Sequence, residues 1–249
     1  MLVQRELRAR YAGSNLGMLW NLLNPLVFVG IYIVVFSQIM TARMGTDVSR
    51  YDYAIHLCTG MIPWFFFSEV LGRTMSVLLE NSNMLRKMAI PVEVLYLSVY
   101  CTSVLIHGTT LLALMLILLI AGVPLAGTVV LALPVMLVMG LVALGFGMMF
   151  SVMALLVRDV PQIVQIALQI GFWTVPIVYV PKALPEHAQW LLTVNPLGNY
   201  IGLIQRLFGV ADTTFTPNGY YVIALLPFLA IMVGRSFYAA NRAEILDAL

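Results

Sequence analysis

The chain has 249 residues, of which 61% are hydrophobic and only 10% charged, and its formal net charge is +2. Soluble domains carry roughly 25% charged residues, so a globule of this size would lack the solvated side chains to cover itself, and its solvent must be largely lipid. The small net charge excludes the basic footprint expected of a nucleic-acid-binding protein.

In residues 1–16, Leu2, Val3, Leu7 and Tyr11 share one helical face while Gln4, Arg5, Glu6, Arg8 and Arg10 take the rest. This pattern predicts a basic amphipathic helix lying on the cytoplasmic membrane surface. The apolar run from Leu26 has no small-residue cleavage site, so a retained first span is expected rather than a removed leader. A bilayer core of ~30 Å needs ~20 helical residues. Stretches near 22–41, 54–73, 94–120, 128–157, 162–180 and 219–238 meet that requirement. Each is continuously apolar rather than alternating, and backbone groups in lipid must be satisfied internally. The expected fold is therefore all-α and integral to the membrane. A single transmembrane domain over 1–249 has six transmembrane helices, an amino-terminal amphipathic interface helix and a short tail at 239–249.

In the first span Phe28 and Tyr32 form a short stripe that Phe36 begins to leave, and the Tyr32 hydroxyl needs a polar partner at mid-membrane. The second span holds Glu69 and Arg73 at i,i+4 in the favourable order. They read either as a structural pair with a snorkelling arginine or as a functional intramembrane charge. After it comes NSNMLRKMAIP, Asn81 to Pro91, a short charged loop that is either a topology signal or a surface for a soluble partner. In the fourth span Ala143, Gly147 and Ser151 repeat at four-residue spacing, a surface for close helix packing. Arg158-Asp159 forms the next charged loop.

The fifth span carries Gln162, Gln165, Gln169, Phe172, Trp173, Pro176 and Tyr179 within an arc of roughly 120° at about 100° per residue. Glutamine in lipid is costly unless hydrogen-bonded. The face is either interhelical glue or a hydrated path whose aromatic part stacks on sugar rings or acyl chains. Residues 181–218 hold Pro181, Pro185 and Pro196 with several polar groups. Their pieces 188–194 and 198–208 are too short to span and predict interfacial or re-entrant helices broken at Asn195-Pro196.

With six spans, Arg5, Arg8, Arg10, Arg73, Arg86, Lys87, Arg158, Arg235 and Arg242 share one side, against Arg43, Arg50, Lys182 and Arg206 on the other. The positive-inside rule places both termini in the cytoplasm. Neither lysine follows a glycine, so no phosphate-binding G-x-x-x-x-G-K-[ST] loop exists. His56, His107 and His187 have no carboxylate or cysteine at ligand spacing, so no metal centre is expected. Cys58 and Cys101 lie in separate apolar stretches and read as packed thiols. With no catalytic motif, the work must be driven by a gradient or by another subunit. Glu69 and His107 are the best candidates for an ion site.

Taken together, several segments carry a resemblance: RYAGSNLGMLWNLLNPL (Arg10 to Leu26), GMIPWFFFSE in the second span, NSNMLRKMAIP after it, RDV at Arg158 to Val160, FWTVPIVY at Phe172 to Tyr179, and VNPLGNY at Val194 to Tyr200. In this order, over nearly the whole chain, they resemble the type-2 ATP-binding-cassette permeases that export lipid-linked polysaccharides such as O-antigen and teichoic acid. The resemblance implies a homodimer in the cell inner membrane, bound to two copies of a separate cytoplasmic P-loop ATPase. ATP and Mg would sit on that partner, and no cofactor on this chain. It implies that Arg5, Arg8, Asn83, Arg86 and Lys87 couple to the ATPase, and that Arg10, Tyr11, Ser14, Asn15 and Gly17 lie where a lipid headgroup enters. Phe28, Tyr32, Gln165, Gln169, Phe172, Trp173 and Tyr179 would line the translocation path. Residues 181–218, with Asn195, Pro196 and Arg206, would form the periplasmic gate. A small-lipid or drug exporter of the same superfamily would share this fold. A membrane-embedded glycan or lipid transferase would need a charged catalytic cluster in a loop, and none is seen.

Overall fold

A computed structural model describes residues 50–87, 91–188, 190, 192, 195–210, 213–216 and 218–248, together with the helical positions Leu23 and Val27. The predicted amphipathic helix 1–16 and, apart from those two positions, the first span 22–41 lie outside the described residues. Among the described residues every regular element is helical. The helices are α1 (Arg50–Glu80), α2 (Ser82–Lys87), α3 (Val92–Ile120), α4 (Ala132–Leu156), α5 (Val160–Thr174), α6 (Leu197–Leu207), α7 (Gly219–Ala240) and α8 (Arg242–Ala248), with 3-10 turns at Gly127–Leu131, Pro181–Ala183 and Glu186–Ala188. Four helices are long and apolar enough to cross a membrane, Asp52–Glu80, Val92–Ile120, Gly127–Leu156 and Gly219–Ala240. They correspond to the predicted second, third, fourth and sixth spans.

Local chemistry sets the helix ends. Asn81 closes α1 by donating its backbone N–H and its side-chain amide to the Val77 carbonyl, at 3.1 and 2.9 Å. Its own carbonyl then accepts from Met84 and Leu85 and starts α2. At the end of α3, Gly122 takes φ +75, which lets Val123 N–H reach the Leu118 carbonyl and Gly122 N–H the Leu119 carbonyl. This is the glycine-dependent stop that satisfies the last orphan carbonyls. Pro227 inside α7 has no N–H for the Ile223 carbonyl. The Tyr200 hydroxyl of α6 donates to that carbonyl instead, at 3.1 Å.

The core lies between α1, α3 and α4. The pairings Phe66–His107 and Glu69–Ser103 make α1 and α3 antiparallel. Gly140 against Phe66 and Gly147 against Thr74 make α1 and α4 parallel. The small-residue stripe is realised: Ala143 and Ser151 are fully buried, and Gly147 admits Thr74. Ser151 is also bonded to the Tyr96 hydroxyl at 2.5 Å. A second close approach, at Gly145 and Gly234, brings the α4 and α7 backbones into contact. Much of α7 faces outward, with Tyr221, Leu225 and Phe228 exposed, as a lipid-facing helix requires.

The fifth predicted span is corrected. The helix starting at Val160 ends at Thr174 and is 15 residues long, so residues 175–180 do not complete a helical crossing. The cause is Pro176, which disfavours the α conformation of the residue before it; Val175 accordingly sits at φ −106, ψ 135. The segment predicted as 198–208 forms α6, preceded by the Asn195-Pro196 break as expected. It packs with its Leu197, Tyr200, Ile201 and Ile204 face fully inward, against α1 and α4. Within the predicted tail, Arg242–Ala248 form α8, anchored by buried Ile245.

Candidate functional site

The site is built where α5 crosses α1. These helices run antiparallel, because Gly171 lies against Trp64 and Gly72 lies near the Gln165 amide. Only Val160 and Val164 of α5 are buried. Gln162, Gln165 and Gln169 are exposed on one side of the helix, and Ile163, Ile166 and Ile170 on the other. At its carboxyl-terminal end Phe172 meets Trp64 edge-on at 6.0 Å and Trp173 at 5.5 Å, while Trp64 also contacts Phe67. Trp173 remains 55% exposed. The result is a helix with a polar amino-terminal half and an aromatic carboxyl-terminal tip, exposed among the described residues.

Beyond Thr174 the chain is held by side chains from other elements. Tyr53 donates its hydroxyl to the Val178 carbonyl at 2.9 Å, and His56 Nε2 is 3.2 Å from the Tyr179 carbonyl. Gln205 of α6, fully buried, donates its amide to the His56 and Pro176 carbonyls at 3.3 and 3.2 Å. Gly60 makes room there, because a Cβ would meet both Ile177 and the Gln205 amide. Tyr179 is thus off the helix that was expected to carry it. Its hydroxyl still returns to the Trp173 carbonyl at 3.0 Å, so it stays with the aromatic tip.

Of the predicted gate residues, Asn195 donates to Thr174 Oγ1 at 2.9 Å and accepts from Leu197 N–H at 3.0 Å, tying the end of α5 to the start of α6. Pro196 caps α6, and Arg206 is exposed near its other end. Asn83, Arg86 and Lys87 all fall on α2, with Arg86 exposed. Arg5, Arg8, Arg10, Tyr11, Ser14, Asn15, Gly17, Phe28 and Tyr32 lie outside the described residues.

One face of α1 was read incompletely from sequence. Phe65, Ser68, Glu69, Gly72, Arg73 and Ser76 form a half-buried stripe between α3 and α5. Glu69 does pair with Arg73, at 3.6 Å, but it also accepts from Ser103 at 3.1 Å and lies 3.2 Å from His107 Nε2. The two residues singled out as ion-site candidates, 38 positions apart, are in contact. Gln205 was not singled out as a site residue at all; its signal was a glutamine on the apolar side of an otherwise amphipathic short helix.

Residues 1–208 match the family model described as the ABC-2 type transporter membrane family. The chain belongs to the ABC-2 type transporter family. Among curated proteins it is 28% identical to the O-antigen export system permease protein RfbA of Klebsiella pneumoniae, over 96% of this chain and 89% of that one. It is 29% identical to a protein of the same name from Myxococcus xanthus, covering 83% and 78%. It is 25% identical to the polysialic acid transport protein KpsM of Escherichia coli, covering 99% and 94%. This ABC-2 family chain therefore aligns with 78% to 94% of the length of these relatives, and α1 to α6 all lie within the region matched by the family.

Proposed function

We propose that this chain is the membrane-spanning permease of an ATP-driven exporter that carries lipid-linked, O-antigen-like polysaccharide out of the cytoplasm. The observation that carries the reading is the α5 face: three exposed glutamines leading to an exposed aromatic tip, in a chain whose relatives are named for polysaccharide export. Glutamine amides bond sugar hydroxyls, and aromatic faces stack on pyranose rings and acyl chains. In this reading Gln165, Gln169, Phe172, Trp173 and Tyr179 face the path, joined by Phe28 and Tyr32 of a first span; that span, the four long helices and α5 with its non-helical continuation would make six crossings. The second exposed side of α5, Ile163, Ile166 and Ile170, is apolar and suits a second copy of the chain, giving a homodimeric channel. Energy would come from two copies of a cytoplasmic P-loop ATPase holding ATP and Mg. Arg5, Arg8, Asn83, Arg86 and Lys87 would couple to it, and the protein would reside in the inner membrane with both termini inside. Arg10, Tyr11, Ser14, Asn15 and Gly17 would lie where the headgroup enters, with Asn195, Pro196 and Arg206 at the outer gate.

Deletion of the gene tests this directly. Lipid-linked glycan should accumulate on the cytoplasmic side and be lost from the surface, with both effects reversed by the intact gene. Unchanged surface glycan would refute the reading; accumulation of a small lipid alone would identify a different cargo.

A further inference from the structure

We infer that Trp64 of α1 is a positioning residue for the polysaccharide path: seated against Gly171, its buried indole holds the Phe172 and Trp173 rings in the attitude that stacks on pyranose rings. This deepens the export reading and rests on it for the ligand. The carboxyl-terminal part of α5 has few other anchors. The buried residues of α5 are Val160 and Val164, both near its start. From Gln165 to Thr174 no residue is buried, and Leu168 and Phe172 pack on the core only in part.

Trp64 itself is 4% exposed, so it cannot be a stacking surface and must act through its neighbours. A Cβ at Gly171 would come within 3.0 Å of the indole Cη2 and 3.5 Å of Cζ2. The far edge of the indole therefore fills the place where another residue at 171 would put its side chain. Glycine in a helix is less stable than alanine, and a close neighbour of this kind is a physical reason to keep it. From that seat a chain of ring contacts leads to the exposed tip. Trp64 lies 6.0 Å from Phe67 on its core side and 6.0 Å from Phe172 at an interplanar angle of 65°. Phe172 in turn lies 5.5 Å from Trp173 at 85°. Edge-to-face contact is a favoured packing of aromatic rings, and it leaves ring faces open for a sugar.

The main chain of this turn is held by other groups. Asn195 donates to Thr174 Oγ1 at 2.9 Å, and the Tyr179 hydroxyl donates to the Trp173 carbonyl at 3.0 Å. Neither bond orients a ring. Among the described residues, Trp64 is the side chain from outside α5 in ring contact with Phe172. Holding a binding group in its bound attitude improves affinity by removing the cost of ordering it on binding.

The test complements the deletion strain with Trp64→Phe, Gly171→Ala and the double variant, and reads surface glycan at matched amounts of membrane-inserted protein. Each single variant should lower surface glycan about threefold, the scale of freeing one ring side chain. Phenylalanine lacks the atoms that meet residue 171 and alanine supplies a methyl there, so the double variant should return toward wild type. Helix propensity alone would make Gly171→Ala neutral or better. With Trp173→Ala already in place, Trp64→Phe should add no further loss, whereas a general loss of packing would add its own. A second readout needs no glycan. In purified full-length protein labelled with fluorotryptophan, the Trp173 fluorine resonance, assigned through Trp173→Phe, should shift in both single variants and return in the double. Gly171→Ala adds one methyl to a half-exposed turn, so it decides the matter if Trp64→Phe fails to fold. An unmoved Trp173 resonance, or wild-type surface glycan in the single variants, overturns the assignment. If the deletion strain accumulates glycan while the variants behave as wild type, export stands and Trp64 is packing alone. If the resonance shifts and returns but no glycan accumulates on deletion, Trp64 still positions the tip and the export reading fails.

Discussion

Single side chains carry much of the order in this bundle because lipid cannot satisfy a stray backbone group. The Ile223 carbonyl, freed by Pro227, is met by Tyr200. We expect Tyr200→Phe to leave that carbonyl unpaired and to lower stability by about 1–3 kcal/mol, read as a fall in thermal midpoint of the detergent-purified protein. An unchanged midpoint would mean that water or a shifted backbone takes the role. Gly145 is a harder constraint, because a Cβ would meet the α7 backbone at Ala230 and Ile231 rather than a flexible side chain. Gly145→Ala should cost about 1–3 kcal/mol through overpacking, whereas Gly127→Ala, where a Cβ meets nothing, should be nearly silent. Equal effects at the two glycines would show that helix propensity, not contact, sets the cost.

Among the elements, α5 shows most clearly what was legible and what was not. Its amphipathic arc, the stop imposed by Pro176 and the helix after Asn195-Pro196 follow from local rules, although the apolar run through Val180 masks the stop in a hydropathy reading. The holding of the broken segment was not legible, since Tyr53, His56 and Gln205 act from sequence positions 29 to 125 residues away. The same holds for Glu69. Its i,i+4 partner Arg73 is readable from spacing, but Ser103 and His107 reach it across a helix pair whose register one sequence does not specify. If those cross-element bonds hold the break, Gln205→Leu should destabilise more than Pro176→Ala. The leucine strips donors from two buried carbonyls at about 1–3 kcal/mol each, while the alanine leaves all three bonding side chains in place. Comparing the thermal midpoints of the two variants decides it, and the reverse order would assign the break to the proline alone. At the path itself, alanine at Phe172, Trp173 and Tyr179 together should cut surface glycan severalfold without altering how the protein elutes, whereas Ile163→Ala, on the apolar side, should act on assembly first.

For the whole molecule, the question is how a bundle without a phosphate-binding loop does work. Charge is concentrated at its rims, and α2 is a six-residue helix pinned between two long spans, with Arg86 exposed. A short ordered helix joined to α1 through Asn81 can transmit a push along the 31-residue α1, which carries Glu69, Arg73 and the Trp64 contact with Phe172. This makes α2 the expected meeting point with the proposed ATPase. Electrostatic complementarity sets recognition and register at such contacts, and like charges in apposition cost several kcal/mol. Reversing Arg86 and Lys87 to glutamate changes the local charge by four units, two per side chain. We expect the double variant to insert and fold normally, because the change lies outside the spans, but to lose co-purification with the ATPase and stimulation of its hydrolysis. The permease alone should hydrolyse no ATP in either form. Retention of both the complex and coupled hydrolysis in the reversed variant would reduce α2 to a topology signal and move the coupling surface to the amino-terminal segment with Arg5 and Arg8.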